Sequence, residues 1–225
     1  MNEILFFISI ILCFSSVLLL KKLFGKTGLY VWMAIAPIIA NIFTAKSIDL
    51  FGFSAVLGTV AFASSFLATD ILNECYGYES SKKAVYISLV SVVIFLVASQ
   101  FELLFEPNNL DFVSDSMDVV FSQSPRICIA STIMYFVANL VDVFLFQKLK
   151  NVFKGKHLWI RNNISTIVCN CLENALFVIL AFAFVYPFSE ILTIIATTCL
   201  IEIIVAVCDT PFIYIAKLTH KEGME

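Results

Sequence analysis

Two carboxylates of this 225-residue chain lie near the middle of stretches that are otherwise strongly apolar. They are Glu173 and Glu202, and neither stretch contains a Lys or Arg that could neutralise them. An ionisable group at the centre of a membrane costs at least about 2.5 kcal/mol on insertion scales, so its presence calls for a reason. We therefore interpret both residues as functional carboxylates that bind a ligand or a proton.

Other polar residues of the apolar stretches recur at steps of three, four and seven, which places them on one face of each helix. Five helices carry such a polar face, and this predicts a bundle around an off-centre polar cavity. The residues, helix by helix, are Pro37, Asn41, Thr44 and Lys46; Thr59, Phe66, Asp70, Asn73 and Glu74; Ser131, Tyr135, Asn139 and Asp142; Asn163, Thr166, Asn170, Glu173 and Asn174; and Thr198, Glu202 and Asp209.

Carboxylates near the ends of the stretches have structural alternatives. The segment 70–74 could lie in headgroup water at a helix end. Asp142 is followed by Lys148 and Lys150 and could form an ion pair at the membrane edge. Asp209 could cap a helix that Pro211 interrupts.

The polar residues also indicate what the cavity would bind. Carboxylates and amides outnumber cations among them, which favours a neutral or cationic ligand rich in N–H donors. A guanine-like ring presents adjacent N–H and NH₂ donors to one carboxylate, and an O6 acceptor to an amide. The predicted substrate-binding residues are Asn41, Lys46, Asp70, Asn73, Asn139, Asp142, Asn170, Glu173, Asn174 and Glu202.

The sequence gives no indication of an enzyme, a metal site or a cofactor. His157 and His220 both lie in basic segments outside the apolar stretches, and six of the seven cysteines lie within those stretches. A zinc site or a disulfide framework is therefore not expected. We find no phosphate-binding loop and no hydrolase or metalloprotease motif.

Composition defines the elements that must position these residues. Sixty per cent of the chain is hydrophobic and 14% is charged, against roughly 25% charged residues in soluble domains. Apolar stretches approaching the length of a membrane-spanning helix, about 20 residues, predict an all-α polytopic transmembrane bundle of about seven spans. The stretches are 3–20, 29–45, 53–72, 84–105, 126–147, 162–186 and 189–216.

The chain is expected to form a single membrane domain, 1–225, because no loop is long enough for a second one. Its N-terminus, Met-Asn-Glu, lacks the basic residues of a signal peptide, so we expect the first helix to be retained. Lipid is the expected environment. The net charge of −3 gives no basic face for nucleic acid.

Lys and Arg residues predict the orientation in the cell membrane. If there are seven spans, twelve of the 14 fall on one side and only Lys46 and Arg126 on the other. Because basic loops stay in the cytoplasm, the N-terminus and the acidic 102–118 loop are predicted outside and the C-terminus inside.

Several stretches together resemble the queuosine precursor transporter family, also described as a vitamin uptake transporter family. They are IIANIFTAK (38–46), SFLATDILNECYG (65–77), ANLVDVF (138–144), LWIRNNISTIVCNCLENALF (158–177) and IVAVCDTPFIY (204–214). Their order and spacing agree from about Gly25 onward. The resemblance implies a six-helix transport core, 25–217, with an added peripheral first helix, 1–24.

The resemblance also implies a function. Members import 7-deazaguanine bases, namely 7-cyano- or 7-aminomethyl-7-deazaguanine or queuine, for queuosine synthesis or salvage in tRNA. An alternative is a substrate-binding subunit of an energy-coupling-factor importer for a vitamin-like or nucleobase-like solute, which would need a separate ATPase module. A homo-oligomer is a further alternative.

This chain departs from the family pattern at two positions. Relatives usually carry Asp where this chain has Glu173, in a Gln-x-x-Asp-Thr pattern that here reads Asn-Cys-Leu-Glu-Asn. They often carry Lys where this chain has Glu202. These differences leave the preferred base and the energy source open.

Overall fold

The fold is a bundle of α-helices with one small β-hairpin. The computed structural model describes residues 1–121, 125–182 and 187–220. Its elements are α1 (Asn2–Thr44), β1 (Ser47–Leu50), β2 (Phe53–Val56), α2 (Thr59–Tyr76), α3 (Tyr78–Glu102), α4 (Ser114–Phe121), α5 (Pro125–Val152), α6 (Leu158–Phe182) and α7 (Phe188–Leu218). The predicted helical bundle is confirmed. Within the described residues, five helices are long and apolar enough to cross a membrane: α1, α3, α5, α6 and α7.

Helix α1 reverses direction at Gly25. This residue has φ 57° and ψ −134°, which are not helical angles, and a positive φ is least costly for glycine. The chain then runs back so closely that a Cβ on Gly28 would lie 2.1 Å from the carbonyl oxygen of Leu20. At the far end, Asn2 Nδ2 donates a 2.9 Å hydrogen bond to the carbonyl of Asp49. Helix α1 is therefore two antiparallel arms, which correspond to the predicted segments 3–20 and 29–45.

The first arm packs against the rest of the bundle. Phe6, Ile10 and Val17 are buried in the main apolar core, and the Phe14 ring lies 5.2 Å from that of Phe212 in α7. The predicted boundary between residues 24 and 25 coincides with the reversal. That the first arm lies outside the transport core stays a prediction.

A β-hairpin stands where the sequence predicts the start of the third apolar span. Strands β1 and β2 pair antiparallel, with Ser47 opposite Val56 and Leu50 opposite Phe53. The connecting residues Phe51 and Gly52 both have positive φ, 53° and 81°, as in the tight turns that suit hairpins. The predicted segment 53–72 is therefore wrong at its start, and the helix begins at Thr59.

Helix α2 occupies the centre of the bundle. Every residue from Ala63 to Asn73 is buried, and α1, α3, α5 and α7 all pack against it. The surrounding helices expose large apolar side chains outward, such as Leu12, Ile94 and Phe144. Apolar surface on this scale suits a lipid environment. The polar residues of α2 thus face other helices.

The basic helix ends meet at one end of the bundle, which we call the basic end. Lys21 Nζ donates to the carbonyl of Ala216, joining the first arm of α1 to the end of α7. Lys150, Arg161 and Lys217 lie around Glu74 at the end of α2. The β-hairpin lies at the opposite end, which we call the hairpin end.

Candidate functional site

Glu74 forms a buried charge cluster at the basic end. Its carboxylate, only 4% exposed, lies 3.2 Å from Lys150 Nζ, 3.0 Å from Arg161 Nη1 and 2.6 Å from Lys217 Nζ. The cluster joins the ends of α2, α5 and α7 to the start of α6. Lys150 therefore pairs with Glu74, and among the described residues neither Lys148 nor Lys150 forms an ion pair with Asp142, so that alternative is wrong.

Three aspartates form a polar layer next to this cluster. Asp70, Asp142 and Asp209 come from α2, α5 and α7, all are buried, and we call them the aspartate layer. The carboxyl groups of Asp70 and Asp142 face each other within hydrogen-bonding reach. No Lys or Arg in the described parts of the chain forms an ion pair with any of the three.

Helix α6 supplies neutral partners to this layer. Thr166 Oγ1 donates a 3.3 Å hydrogen bond to Asp70 Oδ2. Asn162 Nδ2 donates to Asp209 Oδ1. The Ser165 hydroxyl lies near the carboxyl group of Asp142 but donates a 3.2 Å hydrogen bond to the carbonyl of Asn162 on its own helix.

Glu173 and Glu202 form a second polar layer, the glutamate layer. Both are buried and lie close enough to interact electrostatically, and the Asn174 amide faces Glu202. Asn174 Nδ2 also lies 3.6 Å from the sulfur of Cys199. Seven residues of α6 separate Thr166 from Glu173, so the two layers are about 10 Å apart along the helix axis at 1.5 Å per residue.

The unpartnered polar atoms within the described helices are all of one chemical type; the other such atom among the described residues is His220 Nδ1, beyond the end of α7. Among the described helices, every buried side-chain nitrogen or oxygen without a hydrogen-bond partner is an oxygen. Buried polar groups are normally paired, so these oxygens are open to a ligand or proton that brings hydrogen-bond donors. They belong to Asp70, Asn73, Asn139, Asp142, Asn162, Asn163, Asn170 and Glu202.

Of the remaining predicted substrate-binding residues, three are buried asparagines of α2, α5 and α6, and a fourth, Asn41, bonds within its own helix α1. Asn73 bridges α2 and α5 by donating a 3.0 Å hydrogen bond to the carbonyl of Val143. Asn139 donates to the carbonyl of Tyr135 on its own helix, and Asn170 is buried. Asn41 donates to the carbonyl of Pro37, one turn earlier in α1.

A cavity of about 280 Å³ opens at the hairpin end. Lys46, Leu50 and Val56 of the hairpin region line it, together with Val60 of α2 and Ile201 of α7. The predicted residue Lys46 therefore lies at the hairpin end, whereas Asn41 lies beside Ser99 and Phe121, and neither is part of the two polar layers. Ile201 immediately precedes Glu202, so the cavity reaches the level of the glutamate layer.

Sequence reasoning missed Asn162 and Ser165, and it placed Asp209 on the polar face of its helix without including it among the substrate-binding residues. Asn162 was overlooked for its neighbour Asn163, whose amide instead reaches Thr210 Oγ1 at 2.7 Å. The missed signal is the row of polar residues four apart that starts at Asn162 and ends at Asn174. The alternative of Asp209 as a helix cap is wrong, because α7 continues to Leu218.

Comparison with known proteins agrees with this architecture. A family profile described as "Putative vitamin uptake transporter" matches residues 56–216. The chain belongs to this family. The family's members are transporters, and the five long apolar helices make this one a multi-pass membrane protein.

Two relatives carry a more specific name. A Bacillus subtilis (strain 168) protein named "Probable queuosine precursor transporter" is 35% identical over 208 residues, or 92% of this chain and 91% of the relative. A Haemophilus influenzae protein of the same name is 29% identical over 133 residues, or 59% of this chain and 54% of the relative. The family resemblance is thus confirmed. No solved structure matches the chain.

Proposed function

We propose that this protein imports 7-deazaguanine precursors of queuosine through a site centred on the glutamate layer. The candidate bases are 7-cyano-7-deazaguanine, 7-aminomethyl-7-deazaguanine and queuine. The observation that carries the proposal is that the unpartnered buried side-chain atoms beside this layer, Asn170 Oδ1 and Glu202 Oε2, are both oxygens. A donor-rich base would pair with them, whereas an anionic solute would be repelled. The names of the two relatives support the same class of substrate.

Glu173 is the carboxylate we assign to the base. The N1–H and 2-amino groups of a 7-deazaguanine ring lie side by side, in a spacing that one carboxylate accepts with two hydrogen bonds. The Asn170 amide, one turn before Glu173, would meet O6 of the ring, and the Asn174 amide, directly after Glu173, would exchange its contacts with Glu202 and Cys199 for one with N3. Glu202 Oε2 has no partner among the described residues and would accept a further donor.

The base would enter from the hairpin end. The cavity there, about 280 Å³, falls near the lower limit of small-molecule pockets, about 300 Å³. At the other end, the Glu74 cluster joins four helices and closes the bundle. We assign Lys46 to this entrance and assign no base contact to Asn41 or to the aspartate layer.

The orientation follows from the charges. The chain would cross the membrane seven times, once with each of the two arms of α1 and once with each of α2, α3, α5, α6 and α7. The basic end would then face the cytoplasm, as basic loops prefer. The N-terminus and the hairpin end would face outward, and the C-terminus would lie inside.

Rescue of queuosine formation tests the proposal. The full chain is produced in cells that cannot make 7-deazaguanine bases and lack their own importer, and each base is supplied at low concentration. We expect queuosine in tRNA with at least one base, none with an empty vector, and at least several-fold less with Glu173→Gln than with the wild type. Absence of rescue by every base, with the protein in the membrane, would refute the function.

Repeating the assay in a host without an energy-coupling-factor ATPase module distinguishes a standalone transporter from a subunit of such an importer.

A further inference from the structure

Asp70 and Asp142 face each other in a dry layer of the bundle. Both are fully buried, on the central helix α2 and on α5. Asp70 Oδ1 and both carboxyl oxygens of Asp142 have no hydrogen-bond partner among the described residues. Two facing carboxylates cannot both stay ionised in such an environment, because each charge lacks solvation and repels the other.

The surroundings offer nothing to neutralise the pair. The titratable groups that face it are Asp209 from α7 and Cys169 from α6. The other facing groups are the neutral hydroxyls of Ser165 and Thr166. No titratable group of α1 or α3 interacts with the pair among the described residues. The nearby cations of the basic end are already bound to Glu74, one turn further along α2.

We propose that Asp70 and Asp142 hold one shared proton and that release of this proton couples transport to the proton gradient. A proton on one carboxyl makes it a donor to an unpartnered oxygen of the other, so a single proton pairs atoms on both side chains. The proton is taken from water at the hairpin end and returned to water at the basic end. No other bond forms or breaks.

The site for the proton is separate from the site proposed for the base. The glutamate layer, where we assign the base, lies about 10 Å further along α6 from Thr166 at 1.5 Å per residue. Opening of the Glu74 cluster would bring water to the aspartate layer first, since Glu74 follows Asp70 by one turn. The inference goes beyond the proposed function, because it concerns the energy source and holds for any solute that this protein carries.

Uptake by proteoliposomes tests the coupling. The full chain is reconstituted, the membrane potential is clamped at zero and a radiolabelled 7-deazaguanine base is supplied. With one proton carried per neutral base, a difference of one pH unit sustains about tenfold accumulation by the wild type. Asp142→Asn and Asp70→Asn each fix a neutral side chain of the same shape. We expect both variants only to equilibrate the base, while exchange of internal for external base continues at the wild-type rate.

Asp115→Asn is the matched control, since Asp115 lies exposed in the first turn of α4, and it should accumulate base like the wild type. Accumulation by Asp142→Asn equal to the wild type would overturn the proposal. If a correctly inserted variant loses both accumulation and exchange, the proposal is also overturned, because the residue would then serve the base site or the fold. Accumulation driven by a sodium gradient at equal pH would identify a different ion and refute it as well.

Two further readouts test the proton pair: the melting temperature, which needs no base, and the acidification of vesicles during base uptake, which needs only the wild type. If the folded protein binds the shared proton more tightly than the unfolded chain does, this stability is present at low pH and is lost as pH rises. The melting temperature of the purified wild type should thus fall between about pH 5 and pH 8, whereas that of Asp142→Asn should fall less. A wild type whose melting temperature is flat, or whose vesicles do not acidify during base uptake, refutes the proton pair. A melting temperature that falls with pH more in the wild type than in Asp142→Asn, with no base transported, would instead leave the pair intact and refute the function proposed above.

Discussion

Both terminal nitrogens of Arg161 donate hydrogen bonds to the carboxylate of Glu74, Nη1 to Oε2 at 3.0 Å and Nη2 to Oε1 at 3.3 Å. The Arg161 side chain is fully buried, and its partner is 4% exposed. A buried two-point contact of this kind fixes the start of α6 against the end of α2. Lys150 and Lys217 add α5 and α7 to the same carboxylate.

Glu74→Gln should destabilise the protein strongly. The change leaves Arg161 buried without a counter-charge, and breaking a buried ion pair from one side costs about 3–5 kcal/mol. The free energy of unfolding in detergent, measured by denaturant titration, checks the effect. Lys217→Ala is the control, since Lys217 is 46% exposed and the loss of a solvent-screened pair costs at most about 1 kcal/mol. Equal losses in the two variants would show that the buried contact to Arg161 has no special role.

Asn162→Ala should cost more stability than Asn163→Ala. Asn162 donates to Asp209 in the buried layer, and a buried acceptor that loses its donor costs about 1–3 kcal/mol. Asn163 is only partly buried, and its amide bonds Thr210 and the Trp159 carbonyl. Thermal unfolding of both variants at matched detergent concentration makes the comparison. If Asn163→Ala loses more stability than Asn162→Ala, then Asn163 and not Asn162 is the residue of α6 that stabilises the buried layer.

Much of the helical architecture could be predicted from hydropathy and spacing. Asp70, Asn139 and Glu173 are buried as predicted, because a period of 3.6 residues assigns each of them to the inward face of its helix. The rotation of a helix is harder to predict when two adjacent residues are equally polar. Asn162 and Asn163 differ by about 100° around α6, and only packing against α7 decides which of them meets Asp209.

Other features depend on contacts between distant parts of the chain. Lys150 pairs with Glu74, more than 70 positions earlier, so spacing along α5 could not identify its partner. Strand β2 is predicted as part of a span because Phe53, Ala55 and Val56 are apolar, and the turn before it requires a positive φ at Phe51, which few side chains adopt readily. Pro211 was expected to interrupt α7, yet the packed helix continues past it.

Reporter fusions should find the basic end in the cytoplasm. A reporter after Glu225 should read cytoplasmic, one within 106–118 external, one before Met1 external and one beside Gly25 cytoplasmic. The Gly25 fusion is the most informative, because it tests whether the two arms of α1 are separate spans. A reversed pattern at either the C-terminus or the 106–118 loop would exclude the orientation, and an external Gly25 reporter would exclude seven spans.

Substitutions of Glu173 should separate hydrogen bonding from shape in recognition of the base. Glu173→Gln keeps the size but replaces one acceptor oxygen by an amide donor that faces the ring N–H groups, so one ring donor loses its acceptor at a cost of roughly 1–3 kcal/mol. Uptake at a fixed low base concentration should then fall about tenfold or more. Glu173→Asp keeps both acceptor oxygens and restores the residue usual in the family, but it shortens the reach by one methylene, so part of the activity should remain. Initial uptake rates at matched membrane expression compare the two variants. If the Gln variant transports like the wild type while the Asp variant fails, then shape governs this position and Glu173 does not accept hydrogen bonds from the base.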